Sequence, residues 1–112
     1  MKRLKSRYGC PVELAIEFVG GKWKTVILAW LKEAPHRYSD LRARIPGISE
    51  KVLTQRLKDL EMLGLVERTR GEGGQAVSVY RLTALGESLR PMLDALYEWG
   101  DARANDLSIS VR

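Results

Sequence analysis

The sequence of 112 residues contains one cysteine and one histidine, Cys10 and His36, separated by 26 positions. One cysteine cannot close an internal disulfide, and one of each falls short of a four-ligand zinc site or a conventional Cys-His nucleophile. No uninterrupted apolar run approaches the roughly 20 residues that a membrane span requires. The basic start MKRLKSRYG is not followed by an apolar stretch ending in a small-residue cleavage site, so no secretory signal is expected. Internal repeats and low-complexity segments are also missing. The run Gly71-Glu72-Gly73-Gly74 lacks the spacing and following lysine of a phosphate loop. Acidic pairs such as Asp59 and Glu61 lie among basic residues and read as solubilising groups or intrahelical salt bridges. These absences point away from an enzyme, a metal or cofactor protein and a membrane protein. They favour one cytoplasmic domain spanning residues 1–112.

What is present is basic charge, unevenly spread. The formal net charge is +5, which suits a polyanionic partner. Residues 1–24 hold six basic against two acidic side chains, residues 37–61 hold six against four, and residues 86–106 hold two against five. The N-terminus and the middle therefore face a different partner from the acidic C-terminal segment. Residues 1–9, with Lys2, Arg3, Lys5 and Arg7, read as a flexible basic arm. It is either a solvated tail or a phosphate-contacting extension.

Hydrophobic periodicity orders the rest. Pro11 suits a first helical position with Glu13 in the first turn, and Leu14, Ala15, Phe18 and Val19 form the stripe expected to be buried. Gly20 and Gly21 end that helix. A second helix from about Lys22 to Glu33 carries Trp23, Val26, Ile27, Trp30 and Leu31 at core spacing. His36 to Tyr38 is short and extended, and Ser39 is expected to cap a helix over Asp40 to Ile45. Pro46-Gly47 makes a turn, and Ser49 caps the next helix, which Gly64 closes. In that helix Leu53, Leu57 and Leu60 face a core, while Lys51, Thr54, Gln55 and Lys58 fall on the opposite side. That face carries donors, acceptors and cations of the kind that base edges and phosphates require. Arg56 lies beside the seam, where a phosphate contact and an internal salt bridge are both open to it. Strand-like segments over Leu65–Arg70 and Ala76–Leu82 flank the glycine run and predict a two-stranded hairpin. Thr83 caps a final helix of roughly twenty residues with an apolar stripe, which Pro91 must kink or split. The tail, residues 107–112, carries little signal.

This order is that of a winged helix-turn-helix: α+β, mainly α, with a two-stranded wing and terminal dimerisation helices. The apolar stripe of the last helix, together with the first helix, exceeds what so small a core can cover. This predicts a two-fold partner burying Leu14, Phe18, Leu89, Met92, Leu93, Leu96 and Trp99.

Ordered pieces of the sequence also resemble the HxlR-type transcriptional regulators, related in fold to the MarR group. They are Cys10-Pro11-Val12-Glu13, Gly20-Gly21-Lys22-Trp23, Tyr38-Ser39-Asp40-Leu41-Arg42, Ile45-Pro46-Gly47-Ile48-Ser49, Lys51-Val52-Leu53-Thr54, Leu57 with Leu60-Glu61, Gly64-Leu65-Val66, Tyr80 with Leu82-Thr83, Gly86, and Trp99-Gly100. The resemblance spans about residues 8–101. It implies a homodimer on double-stranded operator DNA, with the Ser49 to Leu63 helix in the major groove and the hairpin as wing. Carried over by position, it makes Ser49, Lys51, Thr54 and Gln55 groove contacts, and Ser39 and Arg42 phosphate contacts. Lys58 joins them from the face of the helix. The segment Gln75 to Tyr80, QAVSVY, lacks the arginine that many members carry before the last strand, so wing contacts fall to Arg68 or Arg70. Cys10 stands just before a helix N-terminus with Lys5 and Arg7 near it in sequence. The resemblance implies a redox or electrophile sensor there, and the alternative is a small cap residue. A winged helix serving as a protein-protein module is the competing reading of the whole chain. The effector, the operator and the direction of regulation are not legible.

Overall fold

The computed structural model describes residues 4–70 and 77–111. In chain order the elements are α1 (Pro11–Val19), α2 (Lys22–Glu33), β1 (His36–Arg37), α3 (Tyr38–Arg44), α4 (Glu50–Met62), β2 (Val66–Arg70), β3 (Ser78–Leu82), α5 (Ala84–Glu87) and α6 (Arg90–Leu107). Among the described residues no helix is long and apolar enough to cross a membrane.

The core is built where the leucine periodicity places it. Ile27, Leu28 and Leu31 of α2 meet Leu41 and Ile45, the α4 seam Leu53, Leu57 and Leu60, and Leu65, Val66, Tyr80 and Leu82 of the sheet region. Leu28 was missing from the expected stripe, and the two tryptophans stand at the rim instead of the centre. Trp23 and Trp30 are half-buried, with Lys22 Nζ 4.4 Å from one ring centroid and the Arg44 guanidinium 5.2 Å from the other.

Four local expectations need correction. No residue of α1 is buried; Leu14 and Ala15 are exposed, and Phe18 and Val19 only half-covered, so the helix lies on the outside of the body. Helix α3 begins at Tyr38, two residues before the expected start at Asp40, which makes Ser39 an interior first-turn residue. Its N-cap is Arg37, whose side chain makes no capping bond. The wing hairpin gains a third strand, because β1 pairs antiparallel with β3 through His36↔Tyr80 and Arg37↔Val79, giving the order β1-β3-β2. Leu93, expected on the dimer face, is 2% exposed and belongs to the core.

The final helix splits, as Pro91 requires. Thr83 Oγ1 accepts from Gly86 N and caps the short α5; α6 then starts at Arg90 with Pro91 in its first turn, where no intrahelical donor is lost. Gly64, with φ +78°, turns the chain out of α4. The Lys32 ammonium ties α2 to α6, 2.6 Å from Asp94 Oδ1 and 3.1 Å from Glu33 Oε2. These carboxylates, Asp94 foremost, hold the Lys32 pKa above its usual value. The basic arm residues Lys2 and Arg3, the glycine run at 71–74 with Gln75 and Ala76, and Arg112 lie outside the described residues.

Candidate nucleic-acid interface

Helix α4 is anchored at both ends and along one side. Ser49 Oγ accepts from Val52 N at 3.1 Å, and Glu50 places negative charge in the first turn. Leu53, Leu57 and Leu60 are at most 1% exposed, which fixes the rotation of the helix about its axis. The opposite side, with Lys51, Thr54, Gln55 and Lys58, is exposed. Among the described residues no ion pair engages either lysine.

Two of the four side chains are held by neighbours. Gln55 Nε2 donates to Asp59 Oδ1 at 3.0 Å, one helical turn on. Asp59 is 9% exposed, and its Oδ2 stands 3.2 Å from Arg56 Nε. Arg56 is thus turned to an internal ion pair. Its Nε is buried and has no aligned hydrogen-bond partner among the described residues, so the contact rests on charge. The Tyr38 hydroxyl donates to the Glu50 carbonyl at 3.1 Å and lies 3.0 Å from Thr54 Oγ1. The sequence reads Asp59 as a solubilising group or an intrahelical salt bridge, of which the structure shows the salt bridge, and Tyr38 as part of a short extended stretch; it links neither to this face. For Asp59, the i,i+4 spacing from Gln55 was the available signal; the Tyr38 contact joins two helices and left none.

Of the other expected groups, Ser39 and Arg42 lie beside this face, and the wing arginines stand on the hairpin. Ser39 is exposed in the first turn of α3, and Arg42 Nη1 reaches to 3.6 Å from Glu50 Oε1, bridging α3 to α4. Arg68 and Arg70 are exposed on β2, opposite Tyr80 and Ser78 of β3.

The remaining candidates lie elsewhere. Cys10 is a free, exposed thiol in the N-cap position of α1, its carbonyl accepting from Glu13 N at 3.0 Å. Leu14, Leu96 and Trp99 are exposed at 39%, 52% and 66%, whereas Phe18, Leu89 and Met92 are half-buried. Val12, Ile16, Tyr97 and Leu107, also exposed, extend the apolar surface of α1 and α6 beyond the expected set. Among the described residues no group of three His, Cys, Asp or Glu side chains is placed to hold a metal ion.

Comparison with known proteins agrees with this geometry. Residues 18–107 match the family model described as HxlR-like helix-turn-helix. A helix-turn-helix transcriptional regulator of Methanothermobacter thermautotrophicus is 43% identical over 93 residues, covering 83% of this chain and 71% of its own. The redox regulator HypR in its reduced form superposes with a TM-score of 0.80 at 30% identity, over 90% of this chain and all of that one. Diamide-treated YodB of Bacillus subtilis superposes with a TM-score of 0.69 at 32% identity, over 86% of this chain and 96% of that one. The matched span holds all of α2 to α6, and with it the exposed α4 face and the β2-β3 hairpin, so the chain belongs to the HxlR-like helix-turn-helix family of transcriptional regulators.

Proposed function

We propose that the protein binds operator DNA as a homodimer, inserting α4 into the major groove and laying the β2-β3 wing along the backbone. The observation that carries this reading is the exposed Lys51, Thr54, Gln55 and Lys58 face, mounted on a helix whose rotation is locked by three buried leucines. Ser49 and Lys51 sit at the N-terminal end of α4, the end that enters the groove in this motif. Gln55 offers an amide to adenine, Ser39 and Arg42 approach the flanking phosphates, and Arg68 and Arg70 extend the footprint along the wing.

The dimer reading rests on the apolar residues that one protomer leaves uncovered on α1 and α6: Leu14, Leu96 and Trp99, with Tyr97 and Leu107. A two-fold pair places its reading helices about 34 Å apart, on a pseudo-palindrome with half-sites one turn apart. Cys10 is the place for a redox response, because it is exposed and because HypR and YodB are relatives described in different redox or diamide-treated states. As the chain's one cysteine, it can form a disulfide only with a thiol of another molecule.

Gel shifts test the reading face. Lys51→Ala weakens binding to all sequences, whereas Gln55→Ala relaxes sequence preference; parent-like binding by both variants would refute α4 as the reader. Light scattering at micromolar concentration that finds only monomer would remove the dimer. Diamide is expected to abolish DNA binding by the parent and to spare Cys10→Ser. Equal responses would eliminate the sensor.

A further inference from the structure

We propose that Tyr38 is a specificity-determining positioning residue: its hydroxyl oxygen accepts the hydrogen bond donated by the Thr54 hydroxyl, so that Thr54 meets DNA as a hydrogen-bond acceptor only. This rests on the reading that α4 enters the major groove. Tyr38 is the first residue of α3, with its ring packed against the core and its hydroxyl reaching across to α4. A phenol has one hydrogen to give. The Glu50 carbonyl, 3.1 Å away, can only accept, so that hydrogen is committed there. Thr54 Oγ1 lies 3.0 Å from the same phenol oxygen. With the phenol hydrogen spent, Thr54 must be the donor in this contact. Its own hydrogen is then consumed inside the protein, and its remaining lone-pair capacity is what it offers outward.

The major groove turns that polarity into base preference. Adenine N6 and cytosine N4 are donors on their strand, whereas guanine O6 and N7 and thymine O4 are acceptors. An acceptor-only Thr54 therefore selects adenine or cytosine on the strand it faces and leaves guanine or thymine without a donor. An unconstrained threonine hydroxyl could rotate to serve either. Tyr38 need not touch DNA to impose this choice.

The test is selection of bound duplexes from a randomised pool by the full-length protein and by Tyr38→Phe, Thr54→Ala and Gln55→Ala, followed by dissociation constants on single-base variants of the selected site. Tyr38→Phe removes one oxygen and keeps the packed ring. The parent is expected to enrich adenine or cytosine at one position of each half-site, by about tenfold over guanine or thymine. Thr54→Ala erases that preference. Tyr38→Phe releases the Thr54 hydrogen, brings the ratio toward parity and leaves the Gln55-dependent position unchanged. If Thr54→Ala shifts the preference and Tyr38→Phe does not, the role of Tyr38 is overturned while the α4 reading stands. A parent preference for guanine or thymine at the Thr54-dependent position also overturns it. If neither Thr54→Ala nor Gln55→Ala alters any position, the α4 reading itself falls.

Discussion

The salt dependence of DNA binding follows from which cations the fold leaves free. Arg42 leans on Glu50 and Arg56 is spent on Asp59, so neither counts fully toward a polyanion. Lys51, Lys58, Arg68 and Arg70 are exposed and carry no ion pair among the described residues. If both protomers of the proposed dimer present these cations to phosphate, about eight charges are engaged, and log K should fall against log salt with a slope of about −7. Between 50 and 200 mM salt this amounts to an affinity loss of about 10⁴-fold. Replacing Arg68 and Arg70 together by alanine removes half of these charges, and the slope should flatten to about −3.6, with a loss of about 150-fold over the same range. Fluorescence anisotropy titrations of a labelled operator duplex at five or more salt concentrations, in the order of tens to hundreds of millimolar, read the slope directly. A parent slope already as shallow as that of the double variant would mean that the α4 and wing face is not the footprint. An unchanged slope in the double variant would take the wing arginines off the backbone while leaving α4 in place.

Three further outcomes test the scaffold that carries the site. Leu57→Ala removes a side chain that is 1% exposed at the centre of the α4 seam and should cost about 3–5 kcal/mol in urea unfolding; a cost below about 1 kcal/mol would contradict the packing described. Gly86→Ala places a methyl group against the Leu65 carbonyl, where α5 crosses the start of the sheet, and should lower the melting temperature although alanine is the better helix former; an unchanged or raised melting temperature would show that α5 does not approach so closely. Because Asp94 and Glu33 raise the Lys32 pKa in the folded state, their stabilisation is full below the unfolded value and is lost as pH rises through the folded one. The parent should thus lose stability in the strongly alkaline range above 10.5, and Asp94→Asn should lose less, as read from denaturant midpoints; equal losses would show that the Lys32 tie contributes nothing.

The sequence was most legible where a period, a cap and a breaker agree. Leu53, Leu57 and Leu60 repeat on one side of a helix that Ser49 opens and Gly64 closes, and the structure buries those leucines, uses Ser49 Oγ as the cap and turns at Gly64. Pro91 likewise announced a break, and the break came three residues upstream, at Ser88, because proline is best accommodated in a first turn. Where the signals were thinner, physics chose otherwise. A two-residue strand such as His36–Arg37 is too short to show alternation, and only its pairing with Tyr80 and Val79 defines it. The stripe on α1 was real but its destination was not legible, since an apolar face reads the same whether it packs inside a protomer or waits for another. Leu93 shows the converse: it shares the α6 stripe with Leu96, yet one turns to the core and the other to the surface.

The charge of α4 exposes why net charge along a sequence is a poor guide to a binding face. Counted by residue, Lys51, Arg56 and Lys58 are cancelled by Glu50, Asp59 and Glu61, and the helix looks close to neutral. Folding sorts these charges by direction. Asp59 is buried and engages Arg56 and the Gln55 amide, while Glu50 reaches back to Arg42 on α3. The Asp59 anion is thereby satisfied within the protein, Glu50 keeps an exposed pairing with Arg42, and the two lysines remain outward without ion pairs among the described residues. Near a phosphate backbone it is the unpaired outward charges that displace counterions. The acidic residues of α4 thus do more than offset its cations: Asp59 holds the exposed Gln55 amide and pairs with Arg56, Glu50 links α4 to Arg42 of α3, and the lysines are left outward.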